Sequence, residues 1–246
     1  MNRLSEFTAL FSGARIVDLS PVLENGMPMW PTHPPLVINA TVTHERDGYF
    51  CQTLFMAEHT GAHVDSPAHV LPSMMDQTID TFPAGRLMAP ASVFDLRPFS
   101  LGPGDIVDAA TLKRIDAENE QPLGSGDIAL LNYGWDVRYK VGPGWRDYAE
   151  NSPGLSEEAV LWIRSRGVRA VGSDTIAVDW PIRDGEYVTP SFGHDKHWLP
   201  NGILMIEALT NLSALPGRCF FAALPLKIKG GSGSPLRPVA IVFEGD

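Results

Sequence analysis

The sequence predicts a mixed α/β or α+β domain, on three observations. Nine short segments are rich in β-branched or aromatic residues and bounded by turn residues, the pattern of strands. Two stretches combine a helix cap with an apolar face. The 21 Pro and 23 Gly are spread through the 246 residues, which favours many short elements over a helical bundle.

In chain order, strands are expected at 15–19, 36–43, 52–57, 91–96, 127–133, 168–172, 202–206, 219–224 and 239–243. Asp108 can cap a helix that carries Leu112 and Ile115. Ser156 caps a second, where Glu157 and Glu158 suit the positive N-terminus. Ala159, Val160 and Ile163 then share one face, and Gly167 ends the helix. A short helix is expected near 73–81, after a Pro-rich turn. The helix from 156 leads into the strand at 168–172, as in one α/β layer. No repeat, low-complexity tract or linker interrupts the chain, so one domain over 1–246 is expected.

With 44% hydrophobic and 20% charged residues, the composition is that of a soluble globular protein. The net charge of −10 argues against nucleic acid, whose phosphates need a basic surface. No apolar run approaches the ~20 residues that span a bilayer. Residues 1–13 lack a signal-peptide pattern, and two cysteines are too few for a disulfide framework. A cytoplasmic protein without membrane or nucleic-acid partners is expected, with Cys51 and Cys219 as small buried apolar residues.

The chemistry concentrates between His59 and His69. Three of the seven histidines and one Asp fall in the run His59-Thr-Gly-Ala-His63-Val-Asp65-Ser-Pro-Ala-His69. On an extended chain His63 and Asp65 point the same way, and His59 shares their parity. Gly61 leaves room between them for an ion. Pro67 forces a turn that can bring His69 back to the same space. Two imidazoles and a carboxylate suit Zn2+, and also Mn2+ or Fe2+. A helical H-E-x-x-H site does not fit, because its Glu is missing and Gly61 and Pro67 disfavour a helix.

Glu207 ends the apolar run 202–206, where a carboxylate is costly unless paired or bound to metal. Upstream, His194 and His197 offer two imidazoles, of which one is expected to face the site. Asp174 and Asp179 read as parts of a solvated turn, and His33 and His44, taken singly, as ordinary polar residues. Trp30, flanked by Pro28 and Pro31, either lines a pocket or is packed. Residues 230–235 read as a flexible Gly-rich loop without the Lys of a phosphate loop.

The 59–69 run resembles the H-x-G-T-H-x-D-x-P-x-H signature of the cyclase-like metal hydrolases, the family of bacterial kynurenine formamidase and isatin hydrolase. Segments 18–31, 206–216 and 223–237 resemble the family's N-terminal, second-ligand and C-terminal segments, so the likeness spans nearly the whole chain. It implies a swivelling β/β/α fold with a mixed sheet or barrel-like core and flanking helices, assembled as a homodimer or homotetramer. By position it makes His59, His63 and Asp65 ligands of one metal. It makes Asp65 and Glu207 carboxylates that can bridge to a second, giving one or two Zn2+ or Mn2+ ions per chain. His69 becomes the acid/base and Trp30 a contact to a small-molecule substrate.

The implied reaction is hydrolysis of a carbon–nitrogen amide bond in an aryl formamide or cyclic amide. A lactone or other cyclic ester, or a non-catalytic metal- or ligand-binding domain, are the alternatives. Two departures stand out. Ala62 replaces the usual Thr, and Asp195 occupies the position of the second-metal His, with His194 and His197 close by.

Overall fold

The structure is a computed structural model and describes residues 2–150, 152–180, 182–183, 186–188 and 191–243. Its centre is a nine-stranded mixed sheet. In chain order the strands are β1 (Arg15–Asp18), β2 (His63–Asp65), β3 (Met88–Asp95), β4 (Ile128–Asn132), β5 (Ala170–Ser173), β6 (Leu204–Glu207), β7 (Arg218–Ala222), β8 (Gly233–Pro235) and β9 (Val239–Val242). Their spatial order is β1-β9-β7-β3-β4-β5-β6-β2-β8. The neighbours β3, β4, β5 and β6 run parallel, and the flanking pairs are antiparallel.

Alternation along the parallel strands divides the core into two layers. Phe94, Ala129, Leu131, Val171 and Met205 point to one face, which the helices Ala109–Glu118 and Glu157–Ser165 cover. Val93, Ile128, Leu130, Ala170, Leu204 and Ile206 point to the other. That second cluster also takes Val17 from β1, Phe221 from β7, Ala240 from β9 and Val64 from β2. Strands from both ends of the sheet thus meet in one cluster, so the sheet curls around it.

The two predicted helices form as their caps require. Asp108 accepts the Thr111 N–H and Ser156 the Ala159 N–H. Leu112 is buried in the first, and Ala159, Val160 and Ile163 in the second. The expected helix near 73–81 is instead two short 3-10 turns, Pro72–Met74 and Ile79–Thr81. There the Ile79 N–H leaves any helix and bonds to the Gly231 carbonyl.

All nine expected strands occur, but two of them pair outside the sheet. Val37–Val42 and Cys51–Phe55 make a separate hairpin on the surface. Every residue of Cys51–Phe55 is exposed, so Cys51 is not the buried apolar residue expected of it, whereas Cys219 is. The helix Arg3–Ser12 buries none of its residues either. Among the described residues no helix is long and apolar enough to cross a membrane.

Asp174 corrects a second expectation. It follows β5 and is fully buried, where a solvated turn was expected. Its two carboxylate oxygens accept the N–H groups of Tyr133 and Trp135, fastening the loop after β4 to the end of β5. Asp174→Asn would turn an NH2 group toward one of these donors. A loss of about 1–3 kcal/mol is expected, measured by urea unfolding; an unchanged midpoint would show that this clamp carries no stability.

Candidate metal centre

The centre lies where β2 meets the carboxyl ends of the parallel strands, the usual place for ligands on such a sheet. Register puts His63 opposite Glu207 and Asp65 opposite Met205. Val64 and Ile206 turn into the curled core, so His63, Asp65 and Glu207 all point to the other face. The predicted parity of His63 and Asp65 therefore holds. That of His59 does not, because Gly61 has φ of +64° and breaks the extended chain between them. His59 still reaches the site, with Nδ1 2.6 Å from Asp65 Oδ1.

His194 comes from a turn of π-helix, Phe192–His197, a distortion often found at functional sites. Its Nε2 lies 3.4 Å from Asp65 Oδ2 and 3.3 Å from Glu207 Oε1. His63 Nε2 lies 3.5 Å from Asp65 Oδ1 and 3.3 Å from Glu207 Oε2. Two donors held ~2.0–2.2 Å from one ion at a tetrahedral angle stand ~3.3–3.6 Å apart, so each of these imidazole–carboxylate pairs has ligand spacing. Asp65 Oδ2 is buried without a hydrogen-bond partner, the mark of an oxygen meant for another bond. His59, Asp65 and His69 form a second group of converging donors that shares Asp65 with the first. His63, Asp65 and Glu207 thus form a group that fits one metal ion, with His194 beside its two carboxylates and the His59 group alongside.

The surroundings fix the imidazoles. His63 Nδ1 donates to the Gly61 carbonyl at 2.8 Å and His194 Nδ1 to Asp179 Oδ2 at 2.8 Å, leaving both Nε2 atoms facing the carboxylates. Burial opposes charge on His63, but Glu207 and Asp65 outweigh it and lift its pKa to about 9. Burial likewise opposes charge on His194, and Asp179 above all reverses it, raising its pKa well above the usual value. Burial would raise Asp65, yet His59, His69 and His194 hold it well below the carboxylate range. For Glu207 the rise from burial and from Asp65 is outweighed by His194 and His63. His69 differs from His63 and His194: burial, only partly offset by Asp65, pushes its pKa down to about 4. Its ring lies 4.0 Å from that of His59 and 6.3 Å from that of His194, centroid to centroid.

Several sequence expectations are corrected here. His197 turns away and pairs with Glu157 at 2.8 Å, so of the two upstream imidazoles His194 is the one that faces the site. Asp195 lines the cavity and accepts the Ser191 N–H through Oδ2. Asp179 is buried rather than solvated, and its Oδ2 takes the His194 N–H, His194 Nδ1 and the Ser191 hydroxyl. The Gly-rich segment is ordered by β8, which pairs with β2 along Asp65, Val64 and His63. Its preceding Ser232 reaches His59 Nε2 at 2.9 Å.

A cavity of about 350 Å³ opens over the cluster. Trp30 lines it and stacks obliquely on Tyr187 at 5.5 Å. Val70, Ile176 and Trp180 supply further apolar wall, and among the described lining residues there is no Lys or Arg. His33, read singly as an ordinary polar residue, also lines it, with a buried Nδ1 that has no hydrogen-bond partner.

The chain is similar to known proteins over most of its length. The family model described as "Putative cyclase" matches residues 17–180. The chain is 28% identical to an isatin hydrolase of Roseibium aggregatum over 232 residues, 91% of this chain and 87% of that protein. It is 26% identical to a kynurenine formamidase of Salinibacter ruber over 233 residues, 91% of this chain and 96% of that protein. A crystal structure of an isatin hydrolase bound to the product analogue thioisatinate superposes with a TM-score of 0.88 at 26% identity, covering 99% of this chain and 100% of the other.

Proposed function

The chain belongs to the cyclase family, and from that premise we propose that it is a metal-dependent hydrolase opening the carbon–nitrogen amide bond of a small, uncharged aromatic substrate. The carrying observation is the cavity: clustered imidazole and carboxylate donors at its floor, aromatic and aliphatic walls, and no described Lys or Arg in its lining. A substrate carboxylate would lose its water there without gaining a Lys or Arg partner among the described lining residues, which is costly. A neutral aryl formamide or cyclic amide loses little.

His63, Asp65, His194 and Glu207 would hold Zn2+ or Mn2+, and His59 with Asp65 would serve any second ion. When bound, such an ion supplies Lewis acidity and lowers the pKa of water toward ~7. His69 is the proton carrier. No described protein group hydrogen-bonds its ring, and burial keeps the imidazole neutral at pH 7, able to take a proton from water and return it to the leaving nitrogen. Trp30 and Tyr187 orient the aromatic ring of the substrate.

Assays of the metal-loaded protein on a neutral cyclic aryl amide, a neutral aryl formamide, its carboxylate-bearing analogue and an aryl lactone test this. The neutral amides are expected to exceed the carboxylate analogue in kcat/KM by at least about tenfold, equivalent to ~1.4 kcal/mol. Equal turnover of the charged analogue would overturn the substrate assignment. Metal binding without turnover of any of the four would leave a binding domain instead.

The proposed assembly is a homodimer or homotetramer. The helix Arg3–Ser12 exposes Leu4, Phe7 and Leu10, and the hairpin region exposes Phe50, Leu54 and Phe55. A lone hairpin and a ten-residue helix are marginal in water unless something covers their apolar faces. Sedimentation should give at least twice the 26.8 kDa of one chain; a monomer at micromolar concentration would refute it. The free thiols of Cys51 and Cys219 suit a reducing cytoplasm.

A further inference from the structure

We propose that Glu58 is a positioning residue that acts through Ser232 to decide which ring nitrogen of His59 offers its lone pair to the metal centre. The inference rests on reading that centre as a metal site, but not on the reaction or the substrate.

The argument is one of counting protons. Glu58 Oε2 accepts two hydrogen bonds from Ser232, from the backbone N–H at 2.8 Å and from the hydroxyl at 2.7 Å. A serine hydroxyl has one proton, and here it is spent on Glu58. Toward His59 Nε2, 2.9 Å away, the Ser232 oxygen can therefore only accept. Nε2 must carry hydrogen, and in the neutral ring Nδ1 carries the lone pair. That lone pair faces Asp65 Oδ1 at 2.6 Å. Two acceptors so close repel each other unless a proton or a cation lies with them; 2.6 Å is the spacing of a shared proton, which an ion bound there would displace. His59 thereby presents Nδ1, whereas His63 and His194, each donating from Nδ1, present Nε2.

The relay is built rather than incidental. Ser66 holds the Ser232 carbonyl with both its N–H, at 2.9 Å, and its hydroxyl, at 2.8 Å. A Cβ on Gly231 would come to 3.0 Å from Glu58 Oε1, so the glycine gives the carboxylate its seat. Glu58 also sits directly before His59 in sequence, yet its side chain reaches the opposite side of the ring through a residue 174 positions away.

Three variants test the proposal by Co2+ binding, read by competition with a chromophoric chelator and by the visible absorption of bound Co2+. In Glu58→Gln the amide can donate to Ser232, whose hydroxyl proton then turns to His59 Nε2 and favours the wrong tautomer. The expected loss of affinity is about 10–100-fold, with a changed Co2+ spectrum. Ser232→Ala leaves Nε2 without a partner and the tautomer free, so its loss should be smaller. The double variant should bind no worse than Ser232→Ala, because without the hydroxyl Glu58 has no route to the ring. Wild-type affinity and spectrum in Glu58→Gln, or losses that simply add in the double variant, would overturn the proposal. Because the readout is metal binding, these results stand whether or not any amide is hydrolysed.

Discussion

His69→Ala is expected to cut turnover by about 10²–10⁴-fold, the typical worth of a positioned acid/base, and to leave an ion held by His63, Asp65, His194 and Glu207. The ground is the contrast among the site imidazoles. His63 and His194 are each bound through Nδ1 and face two carboxylates through Nε2. His69 has no such fixed partners, and burial drives it toward the neutral form. It is close enough to the cluster to exchange protons with a water there, since its ligand atom lies within 4.8 Å of those of His59 and Asp65. The same proximity offers a different role, as a ligand in the His59–Asp65–His69 group. Metal content separates the two. An inactive variant with unchanged metal per chain supports the acid/base role, and one that loses an ion makes His69 a ligand. Full activity with the metal retained would remove it from the chemistry.

How far the sequence revealed this site depended on how local each signal was. His63 and Asp65 were legible because a two-residue spacing on a strand needs no knowledge of the fold. Glu207 was legible from the apolar run before it, since a carboxylate in that setting needs a partner. His194 was left level with His197, because the choice depends on a π-helical turn that shifts which residues face inward. Asp179 was misread as solvated: its burial arises only when the segment 191–197 folds over it, and nothing near Asp179 in sequence announces that. Ser232 was lost inside a Gly-rich run whose composition suggests flexibility. It is ordered by pairing of β8 with β2, about 170 residues earlier in the chain. The fold shows the same division. Strand segments were recognised by composition, but the pairing of Val37–Val42 with Cys51–Phe55 outside the main sheet is a long-range outcome. The three-residue strands β2 and β8 are too short for a periodic signal.

Gly193→Ala is expected to weaken metal binding by about 10–100-fold, although it adds one methyl group to a residue that is not itself a candidate ligand. Gly193 does not have the positive φ that would demand glycine, so an alanine backbone fits there. What does not fit is the Cβ, which would overlap the carboxylate of Asp179. Asp179 is buried, and its Oδ2 gathers the His194 N–H, His194 Nδ1 and the Ser191 hydroxyl. Moving the carboxylate breaks these bonds together and frees the His194 ring that faces Asp65 and Glu207. Crowding of this kind also costs about 1–3 kcal/mol of stability, so thermal melts should accompany the metal titrations. Asp179→Ala supplies the comparison, because it removes the carboxylate without the collision and should lose similar affinity. In the double variant the new methyl occupies the space Asp179 has left, so its affinity should match that of Asp179→Ala alone. If Gly193→Ala held its metal as tightly as the unaltered protein, the Asp179–His194 bond would not set the affinity of the centre. If the double variant were far weaker than either single change, Gly193 would act through something other than Asp179.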